Sequence, residues 1–315
     1  MIKTSLCDML NIKYPVIQGG MAWVADASLA AAVSNAGGLG LIAAANAPAE
    51  YVRQEIRKVK DLTDKPFGVN IMLMSPSAEE IAALVVEEKI SVVTTGAGNP
   101  SKYIAAWKTA GIKVIPVIPS SGLAKMVERA GADAVIAEGG EAGGHIGDLT
   151  TMVLVPQVCD AVKIPVIAAG GIGDGRGLAA SLILGAVGVQ MGTRFLLARE
   201  CNIHENYKRR VLKAKDIDTI VTGRRLGHPV RSLKNNFSNN FFANEYDSSI
   251  SNEELEALGS GALRLAVKEG DEKNGCFMAG QIAGMVKVEQ SAQEIINEVF
   301  SEAEEILGGA AKWLK

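Results

Sequence analysis

Three histidines, four cysteines and an aromatic content of 5% leave this 315-residue chain poor in several chemistries. Cys7, Cys159, Cys201 and Cys276 stand far apart with no C-x-x-C pair. That spacing sets aside a disulfide framework and points to reduced thiols. Scattered histidines, with no Asp, His or Cys cluster at metal-ligand spacing, argue against a metal site. No apolar run approaches the roughly 18 residues that cross a bilayer. The opening MIKTSLCDMLNIKYP lacks the apolar core of a secretory signal. The expectation is a cytoplasmic protein without a membrane partner. Charge is nearly balanced, with a net value of −3, so no global footprint for nucleic acid is present.

What is abundant is glycine, 34 residues, clustered where apolar runs end. Glycine there lets backbone approach a ligand closely. Eight short runs rich in β-branched residues recur, at 16–20, 39–44, 67–73, 92–98, 113–119, 134–139, 165–172 and 188–195. Amphipathic helical patterns lie between them. A strand–helix unit repeated eight times predicts a closed parallel barrel, whose chemistry sits at the strand C-termini. Helix punctuation agrees. Asp26 precedes and Gly37 follows SLAAAVSNA, and Ser77 with Glu80 forms a capping-box pattern. Pro100 opens KYIAAWKTA, with Gly111 as its stop. The prediction is an α/β chain, a (βα)8 TIM barrel over 1–198 and 274–315. A smaller, largely helical insertion, 199–273, follows strand eight and covers the barrel mouth.

Three strand ends say what is held there. Strand seven ends in Gly170-Gly171-Ile172-Gly173, and strand eight carries Gln190-Met191-Gly192-Thr193. The loops after these strands commonly bind phosphate in barrels, so Gly170, Gly171, Gly192 and Thr193 are phosphate candidates. The run is not G-x-G-x-x-G and sits late in the chain, which excludes a Rossmann reading. Across the barrel, Gly20 and Met21 leave room for a flat ring, and Asn70 offers amide donors and an acceptor for its polar edge. Ring and phosphate together predict flavin mononucleotide. Strand six runs into EGGEAGGHIGD. His145 is the one histidine of the barrel proper and a candidate proton donor or acceptor. Glu138 and Glu141 are either acids or groups that orient flavin and loop. His204, in the insertion, is expected to pack or to face solvent.

QGGMAWVADASLAAAVSNAGGLG, KPFGVNIML, VVTTGAGNPSKY, AEGGEAGGHIG, PVIAAGGIGDG, VQMGTRF and FMAGQIAG together resemble the FMN-dependent enoyl-acyl-carrier-protein reductases of bacterial fatty-acid synthesis. These lie within the wider nitronate monooxygenase-like flavin barrels. The resemblance implies a homodimer that uses NADPH or NADH and reduces a trans-2-enoyl thioester. It places Gly20 and Met21 on the flavin ring and Asn70 and Glu138 around its polar edge. Gly170, Gly171, Gly192 and Thr193 take the phosphate, and Met278, Gly280 and Gln281 close over the cofactor. His145 matches the active-site histidine. Two basic runs are candidates for steering an acidic acyl carrier protein. One holds Lys208, Arg209, Arg210, Lys213 and Lys215; the other holds Arg224, Arg225, Arg231 and Lys234.

Rival readings differ in what they need. A nitronate monooxygenase shares fold, FMN and histidine but needs no nicotinamide. An IMP-dehydrogenase-like enzyme needs a cysteine in 139–149, where none stands. A Schiff-base aldolase needs a lysine at a strand C-terminus, and Lys65, Lys113 and Lys163 lie at or before strand starts. A non-catalytic flavin-binding protein is the alternative outside enzymology.

Overall fold

Each of the eight apolar runs forms a strand in the structure, a computed structural model that describes residues 1–313. These are β1 (Val16–Gln18), β2 (Gly40–Ala43), β3 (Phe67–Met72), β4 (Val92–Gly96), β5 (Lys113–Ile118) and β6 (Val135–Glu138). A two-residue strand, β7 (Gly144–His145), stands apart from them. β8 (Val166–Ala169) and β9 (Gly188–Met191) complete the eight. The order is β1-β9-β8-β6-β5-β4-β3-β2, with every neighbouring pair parallel. Closure comes from Gln18 N–H donating to Leu39 O and Leu39 N–H donating to Val16 O, both at 2.9 Å. The fold is the expected (βα)8 barrel.

Alternation along the strands explains why the runs are apolar throughout. Ile17, Leu41, Val92, Ile115, Ile136 and Ile167 fill the interior. Ile42, Val69, Ile71, Val93 and Val114 face the surrounding helices. A strand buried on both faces has no position left for a polar residue. The helix Ser5–Leu10 packs Leu6 and Leu10 into the interior cluster. A Cβ on Gly188, at the start of β9, would meet Leu6 at 2.5 Å. That helix therefore plugs the N-terminal end of the barrel and leaves the C-terminal end open.

Helix caps follow the sequence with one exception. Asp26 accepts from Leu29 N–H at 3.2 Å and Asp174 from Gly177 N–H at 3.1 Å. Ser77 makes no side-chain cap to the helix Ala78–Glu87. It sits in a turn at φ −85°, ψ 3°, outside the extended conformation that a cap needs.

The insertion departs from a helical reading. It holds the helices Glu205–Lys213, Asn236–Glu245 and Asn252–Gly259, but also a hairpin of β10 (Thr219–Thr222) and β11 (Val230–Leu233). β7 joins β11 antiparallel, pairing His145 with Val230 and Gly144 with Arg231. The barrel's own strand-six loop is thus the third strand of the insertion's sheet. No helix among the described residues is long and apolar enough to cross a membrane.

Candidate active site

A cavity of about 470 Å³ opens at the C-terminal end of the barrel, between the strand ends and the insertion. Gly20, Met21, Asn70, Glu138, Gly170, Gly171, Gly192, Thr193, Met278, Gly280 and His145 all line it. Gln281 does not: its backbone N–H donates to Glu141 O at 2.9 Å and its side chain is exposed. Segments distant in sequence converge here because every barrel strand delivers its last residue to the same rim.

At the β1 and β3 ends, Gly20 lies flat on Asn70. Asn70 Oδ1 accepts from the Thr94 hydroxyl at 2.9 Å, which fixes the amide and leaves Nδ2 as a donor. Among the described residues its only acceptor is Gly20 O, at 3.5 Å, a contact too long to satisfy it. A donor held in place and poorly used is suited to the acceptor edge of a flat heteroaromatic ring.

Across the cavity, Gly170 (φ +84°) and Gly171 (φ +71°) turn the chain in the left-handed region. A Cβ on Gly170 would stand 2.6 Å from Gly139 O, so side chain and strain are both excluded there. Gly192 precedes the short helical turn Thr193–Leu197, and both Gly192 and Thr193 line the cavity. The Thr193 hydroxyl accepts from Gly280 N–H at 2.8 Å. Its own proton is then free to reach an acceptor in the cavity, as a phosphate oxygen would be.

Glu138 ends β6 on the cavity wall, and its side chain makes no hydrogen bond among the described residues. Burial alone pushes its carboxyl up to about 7, so near neutrality it is a donor about as often as an acceptor. Glu141, by contrast, is committed. Its carboxylate accepts from Thr151 N–H at 2.9 Å and the Thr151 hydroxyl at 3.0 Å. The same hydroxyl lies 2.9 Å from Gly170 O, so its single proton is shared between the Glu141 carboxylate and that carbonyl. The carboxylate ties the histidine loop to the helix Thr151–Ala161 and to the β8 loop, so it positions the loop and is no free acid.

His145 presents its imidazole to the cavity from β7. Protein around the cavity wall pulls its basicity below the ordinary value, and repulsion from His228 adds to this. At neutral pH it is an uncharged donor and acceptor. The loop beneath it is clamped twice more. Gly143 packs on the backbone of Ala279 and Gly280, where a Cβ would approach within 2.6 Å. Arg231 donates to Gly140 O at 2.9 Å and to Thr219 Oγ1 at 3.0 Å.

Most of the basic residues expected to steer a partner are tied down within the fold. Arg225 is bonded to the backbone of Glu245, Asp247 and Ile250. Lys208 pairs with Glu289, and Arg209 and Arg210 pair with Glu272. Arg231 is the loop clamp. Lys213, Lys215 and Lys234 are exposed, with no side-chain partner among the described residues. His204 has the packing role expected of it, capping its helix from Asn206 N–H at 3.1 Å.

Among the cavity residues given no role by the sequence reading are His228 and Tyr207, both from the insertion expected to cover the mouth. Tyr207 is buried, with its hydroxyl donating to Met278 O at 2.6 Å.

The nitronate monooxygenase family profile matches residues 3–88 and 80–302. The structure of FabK from Thermotoga maritima superposes with a TM-score of 0.97 at 48% identity, covering 100% of both chains. A probable nitronate monooxygenase of Staphylococcus saprophyticus is 36% identical over 97% of this chain and 99% of its own length. A (3aS,4S,5R,7aS)-5-hydroxy-7a-methyl-1-oxo-octahydro-1H-indene-4-carboxyl-CoA dehydrogenase of Rhodococcus jostii is 44% identical over 76% of this chain and 67% of its own. With its family profile spanning nearly the whole chain and its barrel closed around one glycine-lined cavity, this protein belongs to the nitronate monooxygenase family of oxidoreductases.

Proposed function

We propose that this chain is an FMN-dependent enoyl-acyl-carrier-protein reductase, drawing electrons from NADPH or NADH in fatty-acid synthesis. The observation that carries the reading is the full-length likeness to FabK, joined to the reductase-type motifs that build the cavity. The cavity fits the cofactor. Asn70 Nδ2 and the Glu138 carboxyl would partner the ring edge, and the Thr193 hydroxyl would donate to the phosphate; the support is that each lines the cavity and Asn70 is held by Thr94. Gly20 and Met21 would lie against the ring, Gly170, Gly171 and Gly192 around the phosphate, and Met278 and Gly280 over the top; Gln281, outside the cavity, is left out of the cofactor set. Bound there, FMN supplies two-electron hydride chemistry.

The protein's own work is positioning and charge control. Reduction of a trans-2-enoyl thioester develops negative charge on the carbonyl oxygen, and the α-carbon then takes a proton. A preorganised donor aimed at that oxygen is worth most in a site shielded from water. His145, neutral near pH 7 and held by β7–β11 pairing, is the group we assign to polarise the oxygen or to deliver the proton. Lys213, Lys215 and Lys234 are the basic side chains left free to meet an acidic acyl carrier protein. The working form is a homodimer in this reading.

A second reading, nitronate oxidation by oxygen, has the support of the family profile and the staphylococcal relative. One comparison separates the two: NADPH or NADH consumption with crotonyl-CoA, against oxygen uptake with propyl-2-nitronate and no nicotinamide. The reductase reading expects turnover in the first assay. Turnover confined to the second overturns it.

A further inference from the structure

We infer that the cavity mouth carries an anion subsite for a phosphoryl group of the incoming substrate, with His228 at its centre beside His145. The inference rests on the reductase reading, because it concerns how that reaction's substrates are held. Two imidazoles on one cavity are conspicuous in a chain with only three histidines.

The placement of His228 is built in. It sits in the hairpin turn between β10 and β11, where Gly223 (φ +82°) and Gly227 (φ +75°) bend the chain. Its backbone N–H donates to Gly223 O at 3.1 Å, and the next residue, Pro229, accepts from Ile146 N–H at 3.0 Å. A Cβ on Gly223 would stand 2.7 Å from His228 O, so the turn admits no side chain there. These bonds hold the hairpin turn against the segment that carries His145. Both imidazoles face the cavity, and neither has a side-chain hydrogen bond among the described residues.

The charges around them favour an anion. Arg224, in the same hairpin turn as His228, pairs with Asp148 at 3.3 Å, an exposed pair that a stronger anion displaces cheaply. Arg231, on β11, donates to Gly140 O at 2.9 Å. Of the acids near the loop, Asp148 is paired, Glu141 is spent on Thr151, and Glu138 lies on the cavity wall, held partly neutral. Tyr207, whose hydroxyl burial holds well above its ordinary value, adds no charge. Protonation of His145 is disfavoured both by burial and by His228.

The subsite's residues, His228 and His145, are not those of the phosphate cradle, Gly170, Gly171, Gly192 and Thr193, although all line one cavity. Phosphoryl chemistry at the mouth has two sources in this reaction, the pyrophosphate of a nicotinamide dinucleotide and the phosphodiester of a pantetheine arm. Either offers anionic oxygens that accept a hydrogen bond from the His228 imidazole.

The test is calorimetric titration of the FMN-loaded protein with NADP+, coenzyme A and inorganic pyrophosphate. His228→Gln should weaken binding roughly 10- to 100-fold, the worth of one hydrogen bond to a charged group. His228→Lys should restore affinity, because an ammonium also donates to phosphate oxygens. A purely structural histidine predicts equal damage from both variants. Loss confined to NADP+ assigns the subsite to the dinucleotide, and loss confined to coenzyme A assigns it to the pantetheine arm. Equal affinities of wild type and His228→Gln for all three ligands overturn the inference. Wild-type protein that binds neither NADP+ nor coenzyme A overturns the reductase reading instead. Pyrophosphate binding that depends on His228 would then keep the subsite, and its absence would remove it.

Discussion

Gly20 is pressed so closely on Asn70 that a Cβ added to it would stand 2.2 Å from the Asn70 Cβ. No real pair of carbons sits that close, so Gly20→Ala must displace the amide that Thr94 holds in place. The substitution should cost about 1–3 kcal/mol of stability through overpacking. It should also raise the dissociation constant for FMN at least roughly tenfold, through one misplaced hydrogen bond. Fluorescence titration of apoprotein with FMN reads the second effect. Unchanged affinity in a folded variant would show that the ring does not lie on Asn70.

Glu138 makes the empty cavity sensitive to pH. Its carboxyl stands at about 7 in the folded protein against 4.5 for an unstrained one, so folding favours its protonated form. The stability this confers is complete below about pH 4.5 and is lost as pH rises to about 7. Ionising it inside the fold costs at most roughly 3 kcal/mol. Glu138→Gln should raise the melting temperature of the apoprotein at about pH 8, with the gap closing at about pH 4. A gap that is the same at both pH values contradicts the assignment.

Glu141 accounts for the stiffness of the histidine loop. Removing a carboxylate that receives the Thr151 N–H and hydroxyl should cost roughly 2–3 kcal/mol in Glu141→Ala. Glu141→Gln keeps one carbonyl acceptor and should lose about half of that. Denaturant unfolding checks both values. A loss below about 0.5 kcal/mol in Glu141→Ala, the scale of an ordinary surface change, would mean that the loop is held by other contacts alone.

His145→Ala should lower kcat for crotonyl-CoA about 10²–10³-fold, as loss of one preorganised donor does. Reduction of the flavin by NADPH, which needs no thioester polarisation, should change far less. Stopped-flow measurement of the two half-reactions separates them. Equal loss in both would make the histidine a structural element of the cavity.

The barrel was legible because both faces of each strand are buried, which writes an unbroken apolar run that repeats eight times. Residues at the barrel rim were legible for a related reason. Glycine at Gly170 and Gly171 is demanded by left-handed dihedrals, and such demands leave a local trace. The β10–β11 hairpin left none. TIVT and VRSL are four residues each and only partly buried, and they depend on pairing with Gly144 and His145, far away in sequence. His228 was hidden for the same reason, since only that sheet brings it to the cavity. The fate of the basic runs was equally non-local. Arg231 looks like a surface charge in sequence, yet it is spent on Gly140 O, 91 residues away.

The central claim, that the cavity at the barrel's open end holds FMN, is tested by titrating apoprotein with riboflavin 5′-phosphate and then adding NADPH without oxygen. The account predicts tight one-to-one uptake, a yellow protein, and bleaching by NADPH that crotonyl-CoA reverses. A correctly folded protein that takes up no flavin would contradict it.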